Sequence, residues 1–271
     1  MERKIGTLAI TYLFFLVMLF LSGSLSGIIS DIVYAAAFII PLLFALYRVR
    51  DTAWKNKAVS LDSRGVTIML ESLFPTVLFV FLLSCLTSYI MLALFGVQNE
   101  IEVGDNLFIA ILSHALLPAI FEEMLFRYLP IRLFGSDNAR TTVFVSALFF
   151  ALIHHDLFAI PYSFLAGVCF MTVDLLCSSI LPSIVMHFVN NLLSVLWIFY
   201  SGSSTFSGVF VGVLVLLSLV SAAFIYRHRR EYKDELFVLF SGGEQLLFYP
   251  QILYLLVPTL FIAVANLVVA M

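Results

Sequence analysis

The sequence predicts an all-α protein, a polytopic transmembrane helical bundle of about eight helices, or nine if the last apolar block also spans, enclosing an intramembrane cavity. Three observations predict it. Hydrophobic residues make up 62% of the 271-residue chain and charged residues 11%, where a soluble domain carries about a quarter charged. Apolar blocks long enough for a membrane helix, about 20 residues, follow one another along nearly the whole chain. Lys and Arg are concentrated in alternate connections between those blocks.

The blocks run at about 5–27, 31–48, 67–96, 107–130, 141–160, 161–177, 180–200, 205–226 and 247–271. The first follows Arg3 and Lys4, as a signal peptide would, but lacks a small-residue cleavage site and reads as a retained helix. The third is too long for one upright helix. Its start, "TIMLESLFP", is expected to lie along the interface until Pro75 lets the chain turn inward. The basic run "YRHRREYKDE" (226–235) reads as a cytoplasmic loop. Trp54 and Trp197 sit near block ends, as interfacial aromatics do. No internal repeat, soluble domain or long linker interrupts the chain, so 1–271 reads as a single transmembrane domain.

Sidedness follows from charge. The 14 Lys and Arg residues fall in four groups: Arg3 and Lys4; Arg48 to Arg64; Arg127, Arg132 and Arg140; and Arg227 to Lys233. Threaded through eight spans, every group falls on the side of the N-terminus. The opposite connections "SGSLSG", "VQNEIEVGDN" and "SGSSTFSG" carry none. A multi-pass protein of the cell membrane with a cytoplasmic N-terminus is expected. The net charge of −3, with no basic stripe interleaved with aromatics, predicts no nucleic-acid partner. Cys85, Cys169 and Cys177 lie in apolar blocks without metal-ligand spacing and read as small core residues.

Ionisable side chains inside lipid are expensive, so each one at depth is a functional candidate. The stretch "FEEMLFRYLP" (121–130) holds three: Glu122, Glu123 and Arg127. Residues four apart share a helix face and neighbours diverge by about 100°. Glu123 and Arg127 can therefore form a structural ion pair, Glu first, which is the better order. Glu122 points elsewhere and is left for chemistry. His114 precedes it by two turns and reads as structural or a neighbour of the site. On the fifth block, Phe150 and His154 share a face, while His155 and Asp156 fall at its far end. On the seventh, His187 and Asn191 share a face from which Asn190 is rotated away. Asp174, late on the sixth, is expected near the cytoplasmic boundary. By axial rise, Glu122, His154 and His187 can meet near mid-membrane, His154 with the least margin.

These residues form three motifs in order: "EEMLFR" as EExxxR, "FALIH" as FxxxH and "HFVNN" as HxxxN. In them the chain resembles the CAAX-protease and bacteriocin-processing family of intramembrane proteases, the type II CAAX prenyl endopeptidases. The resemblance covers about residues 105–200, a catalytic core flanked by N-terminal helices within 1–100 and C-terminal helices within 205–271. It implies an intramembrane endopeptidase with Glu122, Glu123, His154, His187 and Asn191 at the catalytic site. Glu122 would be the general base on water, His154 would orient that water, and His187 and Asn191 would donate to the oxyanion. Glu123, paired with Arg127, would hold the helix. The partners implied are the lipid bilayer and a membrane-associated peptide or lipidated protein substrate.

Other readings stay open. Glu122, His154 and His187 could hold Zn2+ with an open position, although the resemblance implies metal-independent chemistry, with no cofactor and no metal ligand. A proton-coupled transporter would also use buried carboxylates and imidazoles, but paired interrupted helices are missing. A non-catalytic membrane protein such as a bacteriocin-immunity factor would keep the bundle without the chemistry.

Overall fold

The computed structural model describes residues 2–23, 25, 27–48, 60–96, 104–135, 138–154 and 157–242. Among them all regular structure is helical: α1 (Glu2–Gly23), α2 (Gly27–Arg48), α3 (Ser63–Phe95), α4 (Leu107–Phe134), α5 (Ala139–Leu152), α6 (Ala159–Cys177), α7 (Leu181–Tyr200), α8 (Ser204–Arg227) and α9 (Arg229–Ser241). Of these, α3, α4, α6, α7 and α8 are long and apolar enough to cross a membrane, and α1, α2 and α5 carry shorter apolar stretches. The block expected at 247–271, together with His155, Asp156 and Trp54, lies outside the described residues. Large apolar side chains cover the outside of the bundle, among them Phe20, Leu94, Phe108 and Leu219. In water such a surface would aggregate; against lipid tails it has no such penalty.

Among the described residues, two of three apolar cores hold most of the helices together. One joins α1, α2, the second half of α4 and α5 through Tyr12, Phe15, Phe38, Phe126 and Phe149. The other joins α3, α6, α7 and α8 through Ile68, Val77, Phe170, Met186 and Leu214. Helices α5 and α6 approach closely at Gly167, where a Cβ would stand 2.8 Å from the Ala147 Cα. Small residues allow such approach where lipid supplies no hydrophobic drive between helices. Charged and polar groups of α4, α5 and α7 lie between the two cores.

Three elements differ from the sequence expectation. Helix α3 runs unbroken through Pro75 for 33 residues, about 50 Å by axial rise. "TIMLESLFP" is therefore not an interfacial segment that turns at Pro75. Asp62 caps its start by accepting from Gly65 N at 2.7 Å, and Gly96 at φ 68° ends it. Beside the proline, Ser218 Oγ of α8 donates to Phe74 O at 2.9 Å.

The basic run after α8 is also not a loop, because α9 folds back onto the bundle from Arg229. Polar groups of α3 hold it there. Glu71 Oε1 lies 2.9 Å from His228 Nδ1, and the Tyr232 hydroxyl donates to Glu71 Oε2 at 2.5 Å. Arg64 reaches Glu235 at 3.2 Å and Glu231 at 3.4 Å.

Finally, the fifth apolar block breaks early. Helix α5 has 14 residues, about 21 Å by axial rise, short of the roughly 30 Å hydrocarbon thickness. His154 consequently lies past its C-terminus rather than inside a span.

Candidate active site

Helix α4 contains two π-helical turns, Leu112–Leu116 and Met124–Tyr128. Each is followed by a proline, Pro118 and Pro130, whose ring collides with the carbonyl four residues back and supplies no N–H. Widening the preceding turn relieves the collision. The carbonyls around the second turn bond elsewhere: Ser146 Oγ of α5 donates to Phe126 O at 2.5 Å, and the Tyr12 hydroxyl of α1 to Leu125 O at 3.4 Å. Such π-turns cluster at functional sites, and the two here flank the segment Leu117–Glu123.

Glu123 and Arg127 are both fully buried, with Arg127 Nε 3.1 Å from Glu123 Oε2. That contact is an ion pair and lacks the alignment of a hydrogen bond. The guanidinium carbon of Arg127 sits 4.2 Å from the centre of the Phe150 ring and 5.8 Å from that of Phe170. Aromatic faces of this kind stabilise a desolvated cation by about 2 kcal/mol. Glu123 also has a second partner, His187, whose Nδ1 is 2.7 Å from Glu123 Oε1. A carboxylate that faces a guanidinium is an acceptor, so Nδ1 carries the proton and donates.

Nε2 of His187 is thereby turned to Glu122, whose Oε2 is 3.9 Å away. The two adjacent carboxylates thus face one imidazole from its two nitrogens. The Glu122 side chain keeps 13% of its surface open.

His154 is placed by the early end of α5. Its backbone N–H bonds to Ala151 O at 3.3 Å, which leaves Phe150 O without its usual i+4 donor, and His154 Nδ1 bonds that carbonyl at 2.9 Å. The side chain caps its own helix. Because a carbonyl can only accept, Nδ1 again donates. Phe150 stands edge-on to both imidazoles, with ring centres 5.2 Å from His154 and 5.5 Å from His187.

His154, His187 and Asn191 line one cavity of about 310 Å³ between α3, α4, α5, α6, α7 and α8. Its wall is mostly apolar, including Val77, Phe81, Phe170 and Leu214. His114 and Asn190 line it too. Asn190 is therefore not turned away as helical spacing predicts; its Nδ2 donates to Asn191 Oδ1 at 3.3 Å, so that both amides share the wall. Glu122 is not part of the cavity wall and reaches the cavity through its contact with His187. Among the described residues no group of three or more His, Cys, Asp or Glu side chains is arranged to hold a metal ion.

The parts played by two residues were missed in the sequence. The Phe150 ring joins both imidazoles and Arg127, although Phe in FxxxH looks like filler. Ser146 satisfies the carbonyl freed by Pro130; a serine 20 residues from its acceptor gives no local signal. Asp174 is fully buried among protein atoms, and its Oδ1 accepts from Ser183 N at 2.9 Å.

Residues 104–193 match the model of a protein family described as type II CAAX prenyl endopeptidase, Rce1-like. No curated protein and no solved structure matches the chain.

Proposed function

We propose, from the premise that the chain belongs through residues 104–193 to the Rce1-like type II CAAX prenyl endopeptidase family, that it hydrolyses a peptide bond by a glutamate-activated water inside the membrane. Glu122 takes a proton from water, and the resulting hydroxide attacks the scissile carbonyl. His154 holds and orients that water. The tetrahedral oxyanion receives hydrogen bonds from Asn191 Nδ2 and from His187 Nε2. Glu122 then returns the proton to the leaving amine.

His187 donates through Nε2 only when its ring carries both protons. Both nitrogens face a carboxylate, Glu123 at Nδ1 and Glu122 near Nε2. Asn190 occupies Asn191 Oδ1 and leaves the amide nitrogen to donate. Donors of this kind are typically worth about 3–4 kcal/mol each in the transition state. Every role falls to a side chain of α4, α5 or α7, or to the turn after α5, and no step needs a metal or cofactor.

The observation that carries the proposal is the convergence of His154, His187 and Asn191 on one cavity, with Glu122 Oε2 3.9 Å from His187. The substrate class that fits is a membrane-associated peptide or lipidated protein. Its apolar part has a mostly hydrophobic cavity wall to lie against. With the N-terminus cytoplasmic, α7 begins on the cytoplasmic side. His187, six residues into that helix, is then about 9 Å deep, and cleavage falls toward the cytoplasmic half of the bilayer.

The test compares the peptides in membranes carrying the wild type with those carrying Glu122→Ala. Peptides that persist only with Glu122→Ala, and equally with His187→Ala, are the expected substrates. Identical peptide profiles, with both variants correctly inserted, would reject proteolysis.

A further inference from the structure

We propose that Asp174 is a positioning residue for His187, acting from α6 through the first turn of α7. The inference rests on the proteolytic role of His187 proposed above. It begins with the N–H groups at the start of α7, which have no intrahelical acceptor and, inside a membrane protein, no bulk water either.

Their partners can be accounted for one by one. Leu181 N bonds to Ser179 Oγ at 3.2 Å, Pro182 has no N–H, and Ile184 N bonds to Ile180 O at 3.2 Å. Ser183 N is left. Ile180, at the position before the helix, gives no side-chain cap. The acceptor comes from the preceding helix: Asp174 Oδ1, at 2.9 Å. A carboxylate here also faces the positive end of the α7 dipole.

That bond is one turn from the chemistry. Ser183 and His187 are four residues apart on one face, and both are buried. His187 Nδ1 in turn meets Glu123 Oε1 at 2.7 Å. The turn between the helices is closed tightly, with Ser178 left-handed at φ 50° and Ser179 N bonded to Asp174 O at 3.1 Å. Asp174 therefore sets the depth and rotation at which α7 enters the bundle. His187 inherits both, and a displacement of about 1 Å at such a group can cost about 100-fold in rate.

The acceptor oxygen, rather than the charge, is what this role requires, so substitutions separate the two. The probe is a peptide that persists in Glu122→Ala membranes, cleaved by full-length protein reconstituted in liposomes. Asp174→Ala is expected to lower kcat by about 10- to 100-fold with KM within about two-fold. Asp174→Asn, which keeps an oxygen for Ser183 N–H, is expected to recover to within about three-fold of wild type. Asp174→Leu fills the volume without an acceptor, stands in should the alanine variant fail to fold, and must match the loss.

Wild-type kcat in Asp174→Ala or Asp174→Leu would overturn the inference. So would an asparagine variant as impaired as the leucine one, or a change in KM alone. If Glu122→Ala itself cleaves normally, it is the proteolytic role that fails. An inert Glu122→Ala beside a fully active Asp174→Leu rejects only the role of Asp174.

Discussion

Nδ1 of His187 lies 2.7 Å from Oε1 of Glu123, the same carboxylate whose other oxygen faces Arg127 at 3.1 Å. Adjacent glutamates therefore differ in duty. Glu123 ties α4 to α7 and neutralises a buried cation, while Glu122 approaches only the far nitrogen of the same imidazole. Removing one partner of a buried pair strands the other charge, at about 3–5 kcal/mol. Glu123→Gln should lower the melting temperature in detergent by several degrees and reduce cleavage with it. Glu122→Gln should leave the melting temperature near wild type and lower kcat by about 100-fold or more. Equal melting temperatures for the two variants would contradict this division.

Phe150 should behave as part of the site. Its ring lies 4.2 Å from the Arg127 guanidinium carbon and edge-on to both imidazoles. Phe150→Leu keeps the apolar volume but loses the π face, at about 2 kcal/mol for the desolvated cation. Stability and kcat should both fall, whereas Phe150→Tyr should retain most of each if the added hydroxyl is accommodated. A leucine variant that melts and cleaves like wild type would show that the ring is only filler.

Ser146 should matter to folding more than to chemistry. Its hydroxyl satisfies Phe126 O, the carbonyl that Pro130 leaves without an N–H donor. Ser146→Ala should cost about 1–3 kcal/mol, lowering the melting temperature while cleavage per folded molecule stays close to wild type. Pro130→Ala restores an N–H at that position and, combined with Ser146→Ala, should recover part of the loss. Thermal denaturation of the single and double variants measures it.

The contact between α9 and α3 should depend on pH at the alkaline end. Burial first, and then the hydrogen bond to Glu71, hold the Tyr232 phenol above its ordinary value of 10.0. A group held up in the folded state adds stability that is complete below the unfolded value and is lost as pH rises through the folded one. Tyr232→Phe should therefore lower the melting temperature at pH 7, and the gap from wild type should narrow above about pH 10. A gap that widens with pH would reverse the assignment.

The membrane class and the apolar helices were legible because they depend on composition and on runs of about 20 residues. The pairing of Glu123 with Arg127 was legible because four residues make one helical turn. Where local rules failed, a neighbour in space had intervened. Pro75 does not turn the chain, and the helix continues past it to Phe95, packed against α6 and α8. The run 226–235 is not a loop because Glu71 and Arg64, more than 150 residues earlier, hold α9. Asn190, which helical spacing puts off the His187–Asn191 face, lines the cavity and bonds to Asn191.

By itself the sequence determined that this chain must be an all-helical membrane protein, since so apolar a backbone in lipid has to satisfy its own hydrogen bonds. It also determined which few polar side chains would lie at depth. The tertiary structure decided how those side chains are shared. It turned His187 between two carboxylates, ended α5 early enough for His154 to reach the cavity, and borrowed Asp174 from α6 to cap α7. Those outcomes depend on contacts between segments distant along the chain, which helical periodicity along any one segment does not encode.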